Sequence, residues 1–264
     1  MNFPPSDSGQ DISQPQHHYS EKLISDHLLE ENNLLSLSIQ LKTDQIVCIQ
    51  NFFDEEVFSD LNNEIEKLIP LAVRKDFVMK EYDTPRNMFV VGGRTILKKS
   101  WKLAALYSAH SVVSFLSKVV GQNLYLNGQP DAFMAINCLK HDGDTQGWHL
   151  DDGSHAVVYC FSSPQLNGGG NLEYIRNWPS LMAELTNSDP PSVAAGLETA
   201  KERGLLSTLR LQPNSMYILR SNTTLHRVAP LRQPSRSRTV LAAGYEVERV
   251  KAYSHTGADL YSGA

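Results

Sequence analysis

The chain has 264 residues, 41% hydrophobic and 20% charged, an ordinary composition for a globular protein with room for one large core. Lys and Arg number 24 against 29 Asp and Glu, a formal net charge of -5. A phosphate backbone calls for a basic face, so nucleic acid is not expected as a partner. A membrane is not expected either, because no apolar run reads as long enough to span a bilayer.

Residues 1–20, "MNFPPSDSGQDISQPQHHYS", are polar and rich in Pro, Ser and Gln. They read as a flexible tail, with His17 and His18 solvated. The charged-then-apolar pattern of a secretory signal is missing, so the expected compartment is cytoplasmic. Residues 21–264 are expected to form one domain. Residues 20–42 read as one or two helices, and "QIVCIQNFF" (46–53) as a strand. Asp54 is placed to cap the next helix, "EEVFSDLNNEIEKLIPLA". "NMFVVGGRTIL" (87–97) reads as strand, glycine turn, strand. "SWKLAALYSAHSVVSFLSKVVG" (100–121) reads as one amphipathic helix between Ser100 as N-cap and Gly121 as stop.

After Gly121 short β-type runs dominate, divided by Gly, Asn, Pro and Asp, over about 122–250. Such a series suggests a sandwich, jelly roll or barrel. Residues 177–205 interrupt it as an insertion with one or two short helices. The expected class is α+β, mainly β, with an N-terminal helical layer. Cys48, Cys138 and Cys160 show no CxxC spacing and read as buried, reduced thiols. Gly168–Gly170 has no helix after it, so it reads as a tight turn, not a phosphate loop.

Alternate strand residues share a face, so His149 and Asp151 in "QGWHLDDGSHAVVYCF" would project together. An imidazole and a carboxylate on one side can hold a divalent cation. A third ligand, usually a distant His, would complete a 2-His-1-carboxylate triad suited to Fe(II) oxygen chemistry. Nine His and 29 acidic residues make a chance HxD or HxE expected about once per chain, so the tripeptide alone carries little weight. His226 in "TTLHRVAPL" and Arg238 in "SRSRTVLAAGYE" change that. An Arg in an apolar strand needs an anion, and its planar fork suits a carboxylate.

The order HxD, then His, then Arg resembles the Fe(II)/2-oxoglutarate-dependent oxygenases over residues 86–247. The stretches that carry the resemblance are "FMAINCLKHDGDTQGWHLDD", "GGGNLEYI", "PNSMYILRSNTTLHRVAPL" and "SRTVLAAGYE". Within that superfamily the chain looks most like small enzymes acting on free amino acids or similar metabolites, and like prolyl-hydroxylase-type members. The resemblance implies a double-stranded β-helix, a jelly-roll core. It implies Fe(II) on His149, Asp151 and His226, with 2-oxoglutarate and O2 as cosubstrates. Arg238 would pair with the distal carboxylate of 2-oxoglutarate. Arg236, on the same strand face, is the second candidate, because the long loop "RQPSRS" leaves the choice open. Asn137 matches a site that often hydrogen-bonds the cosubstrate.

The implied reaction couples decarboxylation of 2-oxoglutarate to attack on an unactivated C–H bond. The outcome is hydroxylation, or oxidative cyclisation or desaturation. Related halogenases carry a small residue where Asp151 stands, so that halide can bind iron; a carboxylate there argues for oxygenation. Arg86 and Arg94 are candidates for a substrate carboxylate, and Asp152, His141 and Asn222 for other substrate contacts. Asp152 is expected to turn away from the metal or mark the rim, and Trp148 to pack in the core. His155 is given no role. The small-molecule reading competes with two others: a peptidyl or protein side-chain hydroxylase of the same fold, and a metal-free jelly-roll binding protein.

Overall fold

The computed structural model describes residues 22–129, 131–185, 192–249 and 261; the expected tail lies outside them. A 3-10 turn, Asp26–Leu29, leads into α1 (Glu31–Asp44). This helix ends on Gln45 in the left-handed region, φ 58°, whose N–H donates to Leu41 O. β1 (Ile46–Ile49) comes next, then α2 (Glu55–Leu68). Asp54 takes the N-cap position of α2, although its side chain makes no cap bond.

β2 (Val73–Met79) and β3 (Thr84–Gly92) form an antiparallel hairpin. The second strand expected after the glycine pair does not form; α3 (Gly93–Lys99) begins there instead. Thr95 and Ile96 look strand-like, but Lys98 and Lys99 suit a helix C-terminus. Gly93 opens the helix because a Cβ there would stand 2.4 Å from the Phe133 ring. The single helix expected over 100–121 is two, α4 (Trp101–Ser108) and α5 (His110–Val120), broken at the extended Ala109. Ser100 caps α4 by accepting from Leu103 N, and Gly121 ends α5 at φ 76°. The break lets α4 pack on α2 and α3 while α5 packs on α1. Contrary to the sequence reading, Trp101–Val120 is long and apolar enough, by length and composition alone, to cross a bilayer. In this fold its Leu103, Leu106, Phe115 and Leu116 lie in the core.

The β-rich part holds β4 (Tyr125–Leu126), β5 (Met134–Leu139), β6 (Thr145–His149), β7 (His155–Ser162) and β8 (Leu172–Ile175). The insertion supplies α6 (Trp178–Leu185) and α7 (Val193–Glu202). The chain continues through β9 (Ser207–Leu209), β10 (Ser215–Leu219), β11 (Leu225–Val228) and β12 (Arg238–Glu246). The strands pair antiparallel in the order β1-β10-β7-β12-β5-β3-β6-β11-β8-β9, a sheet curled into a jelly roll.

Strand periodicity makes the layers. On β7, Val157, Tyr159 and Phe161 pack under α1–α5, while Val158 and Cys160 face the interior of the roll. On β12, Leu241, Ala243 and Tyr245 join the helical layer, and Arg238, Val240 and Ala242 turn inward. Both faces are therefore buried, which is why these strands read as continuous apolar runs. On the far side, Trp148, Ile175 and Leu225 are covered by Trp178, Leu181 and Ala200 of the insertion. Cys138 and Cys160 are buried, Cys48 is half-buried, and all three are free thiols.

Candidate metal centre

β6 and β11 are paired neighbours, with His149 directly opposite His226 in the register. Their rings lie 4.1 Å apart between centroids. Asp151 stands just past the end of β6, not on the strand, and its N–H donates to Ser221 O at 3.0 Å. The carboxylate still turns to the same side: Oδ1 is 3.4 Å from His149 Nε2, and Oδ2 is 3.7 Å from His226 Nε2. The three donor atoms all lie within 4.8 Å of one another.

Both rings are fixed from behind. His149 Nδ1 is 2.8 Å from Gly147 O, and His226 Nδ1 is 2.9 Å from Thr224 O. A carbonyl only accepts, so each Nδ1 carries the hydrogen and each Nε2 keeps its lone pair for an ion. Burial, then His226 and Arg86, hold His149 well below the usual imidazole range, in the neutral form a metal requires. Two imidazoles and one carboxylate on one side, with the other side open to a cavity, fit Fe(II).

Two cavities meet at this cluster. The inner one is lined by Asn137, Tyr217, Val158 and Arg238 from one half of the roll and by the triad from the other. Arg238 is 3% exposed, and among the described residues no carboxylate pairs with it. Asn137 Oδ1 is buried without a hydrogen-bond partner. A buried cation without a carboxylate partner, facing one small space, fits a dicarboxylate. Arg236 does not share that face: β12 begins at Arg238, and Arg236 is exposed in the preceding loop.

The outer cavity measures about 340 Å³, within the range of small-ligand pockets. Arg86 lines it and is fully buried, inward-facing on β3 like Met88 and Val90. Its Nη1 donates to Gly147 O at 2.8 Å, but Nε and Nη2 have no partner. Burial lowers its pKa to about 10, so it remains a cation at neutral pH. Asp152 also lines this cavity, and exposed Asn222 stands at its edge.

Two expected substrate residues lie elsewhere. Arg94 is carried off by α3, 62% exposed and ion-paired with Asp131 at 2.7 Å. His141 sits exposed at the β5–β6 turn, edge-on to Phe89 and outside both cavities. Trp148 is buried under Arg227, as a core residue should be. His155, given no role in the sequence, lines the outer cavity. So do Met79 and Tyr82 beside the unforeseen β2–β3 turn, Gln146 beside the triad, and Tyr261, which borders both cavities. Gln146 Nε2 lies 3.4 Å from His149 Nε2. A separation of three is out of phase with strand alternation, so no spacing in the sequence marks this residue.

A family model described as HalD, Halogenase D, matches residues 29–260. No curated protein matches the chain. Among solved structures, an oxidoreductase of the 2OG-Fe(II) oxygenase family from Burkholderia pseudomallei has a TM-score of 0.57 at 15% identity, over 83% of this chain and 93% of that one. The non-heme alpha ketoglutarate dependent epimerase SnoN from nogalamycin biosynthesis gives 0.62 at 12% identity, over 82% of each chain. A prolyl hydroxylase from Trichoplax adhaerens, solved with a hypoxia inducible factor peptide fragment, gives 0.55 at 17% identity, over 92% and 99%. At these identities the likeness is one of fold, the double-stranded β-helix.

Proposed function

The chain belongs to the Halogenase D family, within the Fe(II)/2-oxoglutarate oxygenase superfamily, and on that premise we propose that it hydroxylates an unactivated C–H bond of a free amino acid or amino-acid-derived metabolite. The observation that carries this reading is the carboxylate-completed triad of His149, Asp151 and His226 beside the buried Arg238.

Fe(II) held by the triad, with 2-oxoglutarate and O2, would supply the oxidant. Arg238 would grip the distal carboxylate of 2-oxoglutarate through its planar fork, and Asn137, lining the same space, would reach it only through its donor Nδ2. Asp151 supports oxygenation over halogenation, because its carboxylate fills the position a halide would need. Arg86 would take the substrate carboxylate on its two unused N–H groups, and Asp152 would face the ammonium. A fully buried cation at the wall of a cavity this size supports a small free acid over a polypeptide. The peptide seen with the Trichoplax enzyme is a property of that protein.

Arg238→Gln is expected to raise the KM for 2-oxoglutarate about 10- to 100-fold, the loss of one or two charge-assisted hydrogen bonds. Arg236→Gln should leave it within about twofold, since an exposed side chain outside the cavity adds little. Initial rates against 2-oxoglutarate concentration compare the two, and the reverse order would reassign the anchor.

The deciding test is a succinate-release screen over free amino acids with Fe(II), 2-oxoglutarate and O2, read with mass spectrometry. One amino acid should stimulate succinate release and gain one oxygen atom. Chlorine in place of oxygen would overturn the outcome assigned to Asp151, and stimulation by peptides alone would overturn the substrate class.

A further inference from the structure

The ligands His149 and His226 are oriented by backbone carbonyls, and Asp151 by its own N–H, so the metal site is only as well placed as that backbone. Two of the three contacts converge on the tight turn Arg220–Thr224 between β10 and β11. Ser221 O accepts from Asp151 N at 3.0 Å, and Thr224 O is the carbonyl behind His226 Nδ1 at 2.9 Å. The turn also grips the loop after Asp151 through Ser221 Oγ, which donates to Gly153 O at 3.0 Å.

The turn itself is held at both ends by one residue from the N-terminal layer. Gln45 O accepts from Arg220 N at 2.9 Å, and Gln45 Oε1 accepts from Thr224 Oγ1 at 2.9 Å across 179 positions of sequence. The same Oε1 accepts from Asn177 N at 3.0 Å, and Nε2 donates to Asn177 Oδ1. Gln45 is 7% exposed and Thr224 is fully buried, so water does not substitute for these bonds. The left-handed backbone of Gln45, φ 58°, is what aims its carbonyl and side chain at the same turn.

We infer that Gln45 is a positioning residue for the metal centre: by holding the Arg220–Thr224 turn at both ends, it sets where Asp151 and His226 present their ligand atoms. The inference rests on reading His149, Asp151 and His226 as the metal site.

The test is titration of the metal-free full chain with Co(II), reading its dissociation constant and visible d–d band, with circular dichroism to establish folding. Gln45→Gly suits the positive φ and keeps the backbone bond to Arg220, so it removes the side chain alone. Thr224→Val removes only the hydroxyl. Each is expected to weaken Co(II) binding about tenfold and to shift the band. The double variant should bind no more weakly than the worse single one, because both act through one bond. Thr224→Ser keeps the hydroxyl that donates to Gln45 Oε1, and should bind within about threefold of the parent. Leu61→Ala, at a fully buried position of α2, should lower the melting temperature and leave Co(II) affinity as in the parent.

Folded Gln45→Gly and Thr224→Val variants with the parent's affinity and band would overturn the inference. So would additive losses in the double variant, or an equal loss in Leu61→Ala. If Gln45→Gly fails to fold, Thr224→Val decides by the same criteria. A parent that takes up no Co(II) would overturn the metal-site reading itself, and the role of Gln45 with it.

Discussion

Asp151→Ala is expected to lower Fe(II)- and 2-oxoglutarate-dependent succinate release by about 100-fold or more, since even outer-shell changes cost 10- to 100-fold. The reason is charge as much as number. An imidazole ligates a metal through a neutral nitrogen, so Asp151 is the one group of the three that can bring negative charge to the ion. Without it the ion loses a third of its protein ligands and all of their negative charge. The backbone is spared, because the bond to Ser221 O comes from the Asp151 main chain. The measurement is succinate formed per enzyme at saturating Fe(II), with circular dichroism to show that the variant is folded. Turnover equal to the parent's would remove Asp151 from the metal site.

Arg86→Met carries the second large expectation, and it has two parts of opposite sign. Arg86 is fully buried with two N–H groups unpaired, and its pKa falls to about 10. A lowered pKa on a base means that folding is opposed by the charged form. That cost is fully present below the folded pKa and is relieved only as the pH rises above it. At neutral pH it is on the order of 3 kcal/mol. Methionine fills much of the same volume without charge, so the variant is expected to melt several degrees higher, with about 1–3 kcal/mol of added stability. Gly147 O, which loses Arg86, keeps His149 Nδ1 as donor. The same change should raise the KM for a carboxylate-bearing substrate about 100-fold, the value of a bidentate charge-assisted pair. Thermal melts and substrate-dependent rates read the two parts separately. A variant that melts lower and keeps the parent's KM would mean that the guanidinium serves the fold and not a ligand.

Much of this arrangement was legible in the sequence, and the reason is periodicity. His149, His226 and Arg238 each sit on a strand bounded by turn residues, where alternation assigns a face, and the order of the motifs supplied the rest; Asp151, just past β6, turns to the same side although parity no longer applies there. The insertion was legible for the same reason: α6 and α7 break a run of strands. Arg94 was misplaced because the β-branched residues of "GGRTIL" outweighed Lys98 and Lys99 at the helix end, and the packing of Gly93 on Phe133 lies beyond any local pattern. Arg236 was misplaced because a parity argument holds only inside a strand, and β12 starts two residues later. His141 was out of reach for a related reason, since a turn residue can face any direction. Gln45 carried no local signal at all: its partners lie 132 and 179 positions away. Long-range polar clamps of this kind leave no period in the chain.

The two-sided burial of β7 and β12 separates their residues into two sets that can vary independently. Odd positions answer to the helical layer and even positions to the interior cavity. A substitution at Ala156, Val158, Val240 or Ala242 can therefore reshape the inner cavity without touching the face that packs on α1–α5. Ala156 and Ala242 border both cavities, so a larger side chain at either would narrow the passage between them.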